Sequence, residues 1–378
     1  MSRHWLRTWI LAIAAVLVTA VLFEVSLRER GYTPTVQDDQ DLWSLQADRL
    51  RGADNPIALL GASRIQFAVD PAQVERATGR TTAMLAINGE YPVAALRWLA
   101  EDTDFHGLAI VGVDARGLDK RHWEMQQPWI DHYRHRWTFA RKVHRLLLSP
   151  LQQYLVFMRS PFAWVSLMRR ELAGLGMPFN DYLVMRADRV GFLDYRRTNV
   201  EAIKHQRIVD LVEYYRDYPP APPQQWLENL KQVSAWVDKI QARGGKVVIF
   251  REPSGGEHLA LDEKNYPRDL YWDAYARISP ATMIEFRDEP EFVKMVLPDT
   301  SHIDGLEVPH FTSALLAVLA RRGIIAPVPH SQPLVMEPPH PRILLNPRPY
   351  VSMVGNEIAR NRIDTRRRGW HASRAYPK

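Results

Sequence analysis

A serine at the end of a short apolar run, and a histidine three residues beyond an aspartate far downstream, are the residues of this chain best suited to chemistry. Ser63 lies in Gly61-Ala62-Ser63-Arg64, directly after Ile57-Ala58-Leu59-Leu60, and its candidate partners lie in Asp299-Thr300-Ser301-His302. A serine hydroxyl is a weak nucleophile until a base takes its proton, and an imidazole oriented by a carboxylate does this near neutral pH. The pattern points to acyl chemistry with Ser63 as nucleophile, His302 as base and Asp299 as the orienting carboxylate. Each residue alone also fits a plain structural role: a small residue at a tight turn, an exposed loop imidazole, a turn cap.

The elements that must position these residues are legible as an alternation of strands and helices. Residues 57–60 read as a buried strand, and Asp70-Pro71 opens a helix that Gly79 closes. A strand over 82–87, a helix over 92–101 with Ala95, Leu96 and Leu99 on one face, and a strand over 108–113 follow. Residues 224–242 repeat apolar side chains at helical spacing (Trp226, Leu230, Val233, Val237, Ile240), and 246–250 read as the next strand. A strand near 283–286 and a helix over 311–322 complete an α/β domain with a parallel sheet covered on both sides. Asp304 and Glu307 form a capping box for that last helix. Ser63, Gly89, Asp114 and the loop after Phe250 all fall just past expected strand ends, where open α/β sheets bind ligands.

Around this domain, 55–325, lie four further segments. Arg3, His4 and Arg7 precede Thr8–Leu27, whose only charge is Glu24, so residues 1–30 read as an uncleaved membrane anchor. Its flanks favour an inner-membrane, single-pass protein with the domain on the periplasmic or extracellular side. Residues 31–54 read as a polar connector with the acidic run Asp38-Asp39-Gln40-Asp41. Residues 116–220 interrupt the alternation and read as a mainly helical insertion, and 326–378 as an extended Pro-rich tail carrying Arg366-Arg367-Arg368.

The 378 residues, 46% apolar and 24% charged, exclude a disordered or fibrous chain. Without cysteine there is no disulfide, thiolate metal site or thiol nucleophile. The net charge of +6 is mild and sits largely in two segments, which argues against nucleic acid as a partner. His122, His132, His135 and His144 match no metal-ligand spacing, and no phosphate-cradling glycine motif is present, so neither metal nor cofactor is expected. The basic, aromatic stretch between Arg116 and Arg145 suits a solvated helical face, a membrane surface or an anionic glycan.

Four blocks within 55–325 give the chain a resemblance to the SGNH (GDSL-like) hydrolase superfamily. Gly61-Ala62-Ser63-Arg64 resembles the nucleophile block, and Gly89-Glu90-Tyr91-Pro92 the block whose glycine amide donates to the oxyanion. Asp299-Thr300-Ser301-His302 resembles the block carrying acid and base. The remaining block departs: Gly112-Val113-Asp114-Ala115 stands where the family has Gly-x-Asn-Asp, and an ionised carboxylate cannot donate to an oxyanion. Losing such a donor typically costs about 10²- to 10³-fold in rate. The resemblance implies a three-layer, flavodoxin-like domain and a serine esterase or O-acyltransferase needing no cofactor. It further implies an oxyanion hole from Ser63, Gly89 and Asn88, with Arg64, Asp114 and Arg251 near the substrate.

Divergent, membrane-anchored relatives point to an acyl ester on a surface polysaccharide or a similar small ester. The alternative is a catalytically weak or inactive scaffold that uses the same fold to bind glycan or partner proteins.

Overall fold

The computed structural model describes residues 3–178 and 182–327, so the Pro-rich tail expected over 326–378 lies outside the described residues from 328 onward. In chain order, α1 (Arg3–Glu29) and α2 (Gln40–Asp48) precede β1 (Ile57–Leu60), α3 (Ser63–Gln66), α4 (Pro71–Thr78), β2 (Thr82–Met84), α5 (Val93–Glu101) and β3 (Leu108–Gly112). Next come α6 (Gln127–His135), α7 (Phe139–Tyr154), α8 (Trp164–Leu172), β4 (Leu183–Met185), β5 (Gly191–Leu193) and α9 (Val200–Asp217). The remainder is α10 (Pro223–Ala242), β6 (Lys246–Arg251), α11 (Gly256–Asn265), α12 (Trp272–Ala276), β7 (Thr282–Glu285), α13 (Pro290–Val293) and α14 (Val308–Arg321).

Five strands form one parallel sheet in the order β2-β1-β3-β6-β7. Alternate residues feed two cores. Ala58, Leu60, Val111 and Ile249 meet Trp43, Trp226 and Val237 on one face. Ile57, Leu59, Ile110 and Phe250 meet Val74, Phe311 and Leu315 on the other. Burial on both faces explains why these strands are continuous apolar runs, as parallel sheets require. The strand order reverses direction between β1 and β3, so the connections that leave their carboxyl ends run to opposite sides and leave a crevice outside the sheet at that point.

Local chemistry sets the ends of α4: the Asp70 carboxylate accepts from the Ala72 amide at 2.9 Å, Pro71 is the first helical residue, and Gly79 ends the helix at φ +67°. The second strand is shorter than its apolar pattern, yet Leu85 and Ile87 still donate backbone hydrogen bonds to Leu59 and Gly61. The capping box expected at the last helix is absent as such. Asp304 caps a single 3₁₀ turn through the Leu306 amide, and α14 begins after Glu307.

Two segments differ from expectation. The polar connector contains α2, capped by Asp39, which buries Trp43 and Ala47 completely in the first core. Its acidic run is consumed in bonds: Asp38 to Gln66 and Arg189, Asp41 to His132 and Arg141. The 116–220 segment holds, besides its helices, the antiparallel hairpin β4–β5, whose three-residue strands leave too few apolar positions to show a period in sequence.

Helix α1 is 27 residues long, about 40 Å. It is the one helix among the described residues long and apolar enough to cross a membrane. Both of its acidic residues, Glu24 and Glu29, sit toward the carboxyl end, and Glu24 docks the helix to the domain: its carboxylate accepts the amides of Val156 at 3.0 Å and Phe157 at 3.1 Å.

Because Trp43 fills the first core and donates its indole N–H to the Leu85 carbonyl at 3.0 Å, the segment 31–54 is integral to domain stability. Trp43→Ala is expected to cost about 3–5 kcal/mol. Denaturant unfolding of the purified full chain followed by circular dichroism measures it; a loss below about 1 kcal/mol, the scale of an exposed-site change, would show that the segment is a dispensable linker.

Candidate active site

Strand β1 runs straight into the turn that carries Ser63. Gly61 leaves no room for a side chain, since a Cβ there would lie 2.6 Å from Ile65 Cγ1. Ala62 is extended and Ser63 is the first residue of α3. The hydroxyl is thereby held at the carboxyl edge of the sheet, next to the crevice between β1 and β3.

The other two members come from a loop that precedes α14. His302 Nε2 lies 2.8 Å from Ser63 Oγ, and His302 Nδ1 lies 2.9 Å from Asp299 Oδ2. Asp299 is fully buried and its other oxygen accepts two backbone amides, Ser301 at 2.9 Å and His302 at 2.7 Å. The loop reaches this geometry through Thr300, which adopts φ +69°, a left-handed conformation unusual for a β-branched residue. Such strain, roughly 1–3 kcal/mol, persists where surrounding contacts impose it.

A fourth donor comes from the 116–220 segment. Arg207 on α9 donates from Nη2 to Asp299 Oδ2 at 2.8 Å. Burial alone would raise the Asp299 pKa; the hydrogen bond and charge of His302, the Arg207 guanidinium and the Ser301 amide outweigh it and hold the carboxylate well below its usual range. His302 moves down from the ordinary histidine value. Burial is the main cause, Asp299 opposes it, and the charges of Arg207 and Arg64 reinforce it. Near pH 7 the imidazole is neutral, the form that can take a proton from Ser63.

Ser63 and His302 open onto a cavity of about 570 Å³ shared with Asn88, Gly89 and Arg207. Gly89 has φ +78° at the tip of a turn closed by the bridge between Ile87 and Glu90. Neither its amide nor that of Ser63 donates to another group among the described residues, and the exposed Asn88 side chain borders the same space. Phe67, Leu183, Met185 and Leu193 supply an apolar wall, and Thr35 reaches it from the chain just after α1. Thr35 Oγ1 accepts from the Met185 amide at 2.8 Å, and the Val36 amide donates to the Met185 carbonyl at 2.9 Å.

Three further candidates lie away from that cavity. Asp114 is buried and caps the turn after β3, accepting the Gly117 amide at 2.7 Å. Its other oxygen faces Arg116 at 3.3 Å and Arg64 at 3.5 Å. Arg64 in turn donates from Nε to Ser301 Oγ at 3.1 Å and contacts His258 at 3.0 Å. Arg64 thus faces the loop of Asp299 and His302 from behind, and is not available as an oxyanion donor in this arrangement. Glu252 is buried beside it and pushed up to about 7 by that burial, against the opposing charge of Arg64. Gly112 makes room for Glu252, because a Cβ there would sit 2.2 Å from its Oε1. Arg251 is held in ion pairs with Glu263 at 2.7 Å and Glu285 at 3.2 Å and does not border the cavity.

Arg207 and the hairpin wall had no signal in the sequence. Arg207 belongs to a helix with few buried residues, so nothing in its surroundings marks one arginine as inward-facing. Of the insertion histidines, His122 bonds the Arg116 carbonyl and the Tyr214 hydroxyl, and His132 pairs with Asp41. Among the described residues no cluster of three or more metal-ligating side chains occurs.

The fold and site together define an α/β protein with a Ser-His-Asp array at the carboxyl edge of its parallel sheet. No protein-family model, curated protein or solved structure matches the chain.

Arg207 lowers the His302 pKa, so Arg207→Gln is expected to raise it. Phosphonylation of Ser63 by a fluorophosphonate needs neutral His302. Its rate in the native protein should fall only below the ordinary histidine pKa of about 6.5, and in Arg207→Gln the fall should begin at higher pH. Labelling rates across pH 4.5–9 measure this; an unmoved acidic limb would show that Arg207 does not tune the base.

Proposed function

We propose that the protein is a membrane-anchored serine esterase or O-acyltransferase of SGNH-like architecture. The observation that carries this is the unbroken hydrogen-bond chain from Ser63 Oγ through His302 to Asp299. In the first step Ser63 Oγ attacks the acyl carbonyl while His302 Nε2 takes its proton, and Asp299 stabilises the imidazolium. The tetrahedral oxyanion is held by the Ser63 and Gly89 amides, with the Asn88 side-chain amide as third donor. His302 then protonates the leaving alcohol, and the acyl-serine passes its acyl group to water or to a second hydroxyl by the same steps in reverse.

The strand order β2-β1-β3-β6-β7, with helices on both faces, supports a three-layer flavodoxin-like reading, and the cavity lies at its switch point between β1 and β3. The segment 116–220 is then the insertion that this architecture acquired. A substrate outside the cytoplasm suits the anchor orientation, and an O-acyl group on a surface polysaccharide suits a half-open cavity walled by both apolar and polar groups.

One observation favours the scaffold alternative. Asp114 bonds to Arg64, and Arg64 to the loop of His302, leaving Asn88 as the sole side-chain amide among the described residues bordering the cavity. A fluorophosphonate probe separates the two readings: labelling that disappears in Ser63→Ala supports the enzyme, and none in well-folded native protein would sink it. Asn88→Ala is expected to slow turnover of a p-nitrophenyl ester by about 10²- to 10³-fold through kcat, the usual cost of one oxyanion donor. An unchanged kcat would remove Asn88 from the hole.

A further inference from the structure

Helix α7 is amphipathic in the wrong sense for a protein surrounded by water. Phe139, Val143, Leu146, Leu147, Leu151 and Tyr154 recur at helical spacing on one face, and that face is exposed, Leu147 by 67% and Phe139 by 81%. The buried face is polar: Arg145, Ser149 and Gln152. Arg145 donates to the Gln37 carbonyl, and Gln152 accepts the Gln37 amide at 3.1 Å and donates to the Met158 carbonyl at 3.2 Å. The helix is therefore bound to the domain by its polar side.

Helix α8 continues the pattern. None of its residues is buried, and Trp164 and Leu172 are exposed by 76% and 85%. Contiguous apolar surface of this kind marks a binding face. What covers it is indicated by its neighbour. Arg28, at the end of α1, donates to the carbonyl of Tyr154, the last residue of α7, at 2.6 Å. Glu24 accepts the amides of Val156 and Phe157, and Leu27 and Tyr32 share a small core with Val156 and Phe162. The exposed apolar face thus begins at the level of the last turn of the membrane-length helix. Tyr154 and Trp164 are the residue types that settle at the headgroup level.

We propose that α7 and α8 lie in the bilayer interface as a lipid-facing foot, with the polar side of α7 against the domain and the exposed apolar side chains of both helices among headgroups and upper acyl chains. The foot fixes the orientation of the domain, which a lone helical tether would leave free. The inference rests on α1 crossing the bilayer, and does not depend on the chemistry proposed for Ser63.

The chain has no cysteine, so single cysteines can carry an environment-sensitive fluorophore without background. Full-length Leu147→Cys and Leu172→Cys proteins, in phosphatidylcholine nanodiscs containing doxyl-labelled lipid, are expected to show blue-shifted emission, quenching by the lipid label and loss of quenching by iodide. Val16→Cys on α1 reports the anchor, and Lys231→Cys on α10, exposed by 69%, reports the aqueous side. Thermal unfolding verifies that each variant is folded. If Val16 is quenched by lipid while Leu147 and Leu172 behave like Lys231, the foot is overturned and the anchor stands. If Val16 also escapes lipid quenching, both fail. Protection of Leu147 and Leu172 from both quenchers would overturn the foot in favour of a protein contact.

Discussion

The site depends on keeping one fully buried carboxylate ionised. Removing a carboxylate from water is costly unless hydrogen bonds and positive charge replace its hydration, and otherwise the group takes up a proton. Asp299 has four donors: two backbone amides of its own turn, His302 Nδ1 and Arg207 Nη2. The amides require the left-handed Thr300, so backbone strain in the loop serves the carboxylate. Arg207 requires α9 to lie over the loop, which makes the 116–220 segment part of what holds Asp299 and His302 in place. The same guanidinium that keeps Asp299 charged also lowers the pKa of His302, so a more reliably neutral base is obtained with weaker stabilisation of the imidazolium.

What was legible in the sequence follows the range of each signal. Ile57–Leu60, the capped helix after Asp70 and the apolar spacing of α10 are local patterns, and local physics decides them. The pairing of Ser63 with Asp299 and His302 was legible only because those residue types have a known joint chemistry. Four features were not legible. Arg207 and the three-residue strands of the hairpin carry no periodic signal. The connector hid α2 because Asp38, Asp39 and Asp41 resemble a solvated acidic run, whereas their charges are matched by arginines and a histidine far along the chain. The stripe on α7 was visible in principle, but nothing in a stripe says that it faces outwards.

The chain just beyond α1 joins that membrane-length helix to the cavity and the hairpin. Glu29 ends the helix, and Thr35 already borders the cavity, so the two are separated by at most about 20 Å of chain. Thr35 and Val36 bond to Met185 of β4, so the hairpin wall is attached to the anchor segment. The cavity therefore lies close to the point where α1 leaves the domain, and its position relative to that helix is fixed by these bonds.

Asp114, behind the site, is a second buried carboxylate that must be held ionised. A lone buried carboxylate is destabilising. Here the surroundings carry matching charge: Arg64 and Arg116 face Asp114, Arg116 also faces Asp262 at 3.6 Å, and Asp262 accepts from the Tyr215 hydroxyl at 2.6 Å. Burial opposes ionisation of Asp114, and the charges of Arg116 and Arg64 with the Gly117 amide overcome it. Through Arg64 that network reaches Ser301, between Asp299 and His302. The carboxylate at 114 thus supports the loop of Asp299 and His302 through Arg64. An amide at 114 alone would leave the guanidinium groups of Arg64 and Arg116, each 11% exposed, short of charge, so the effect of residue 114 is coupled to those neighbours and is not additive with theirs.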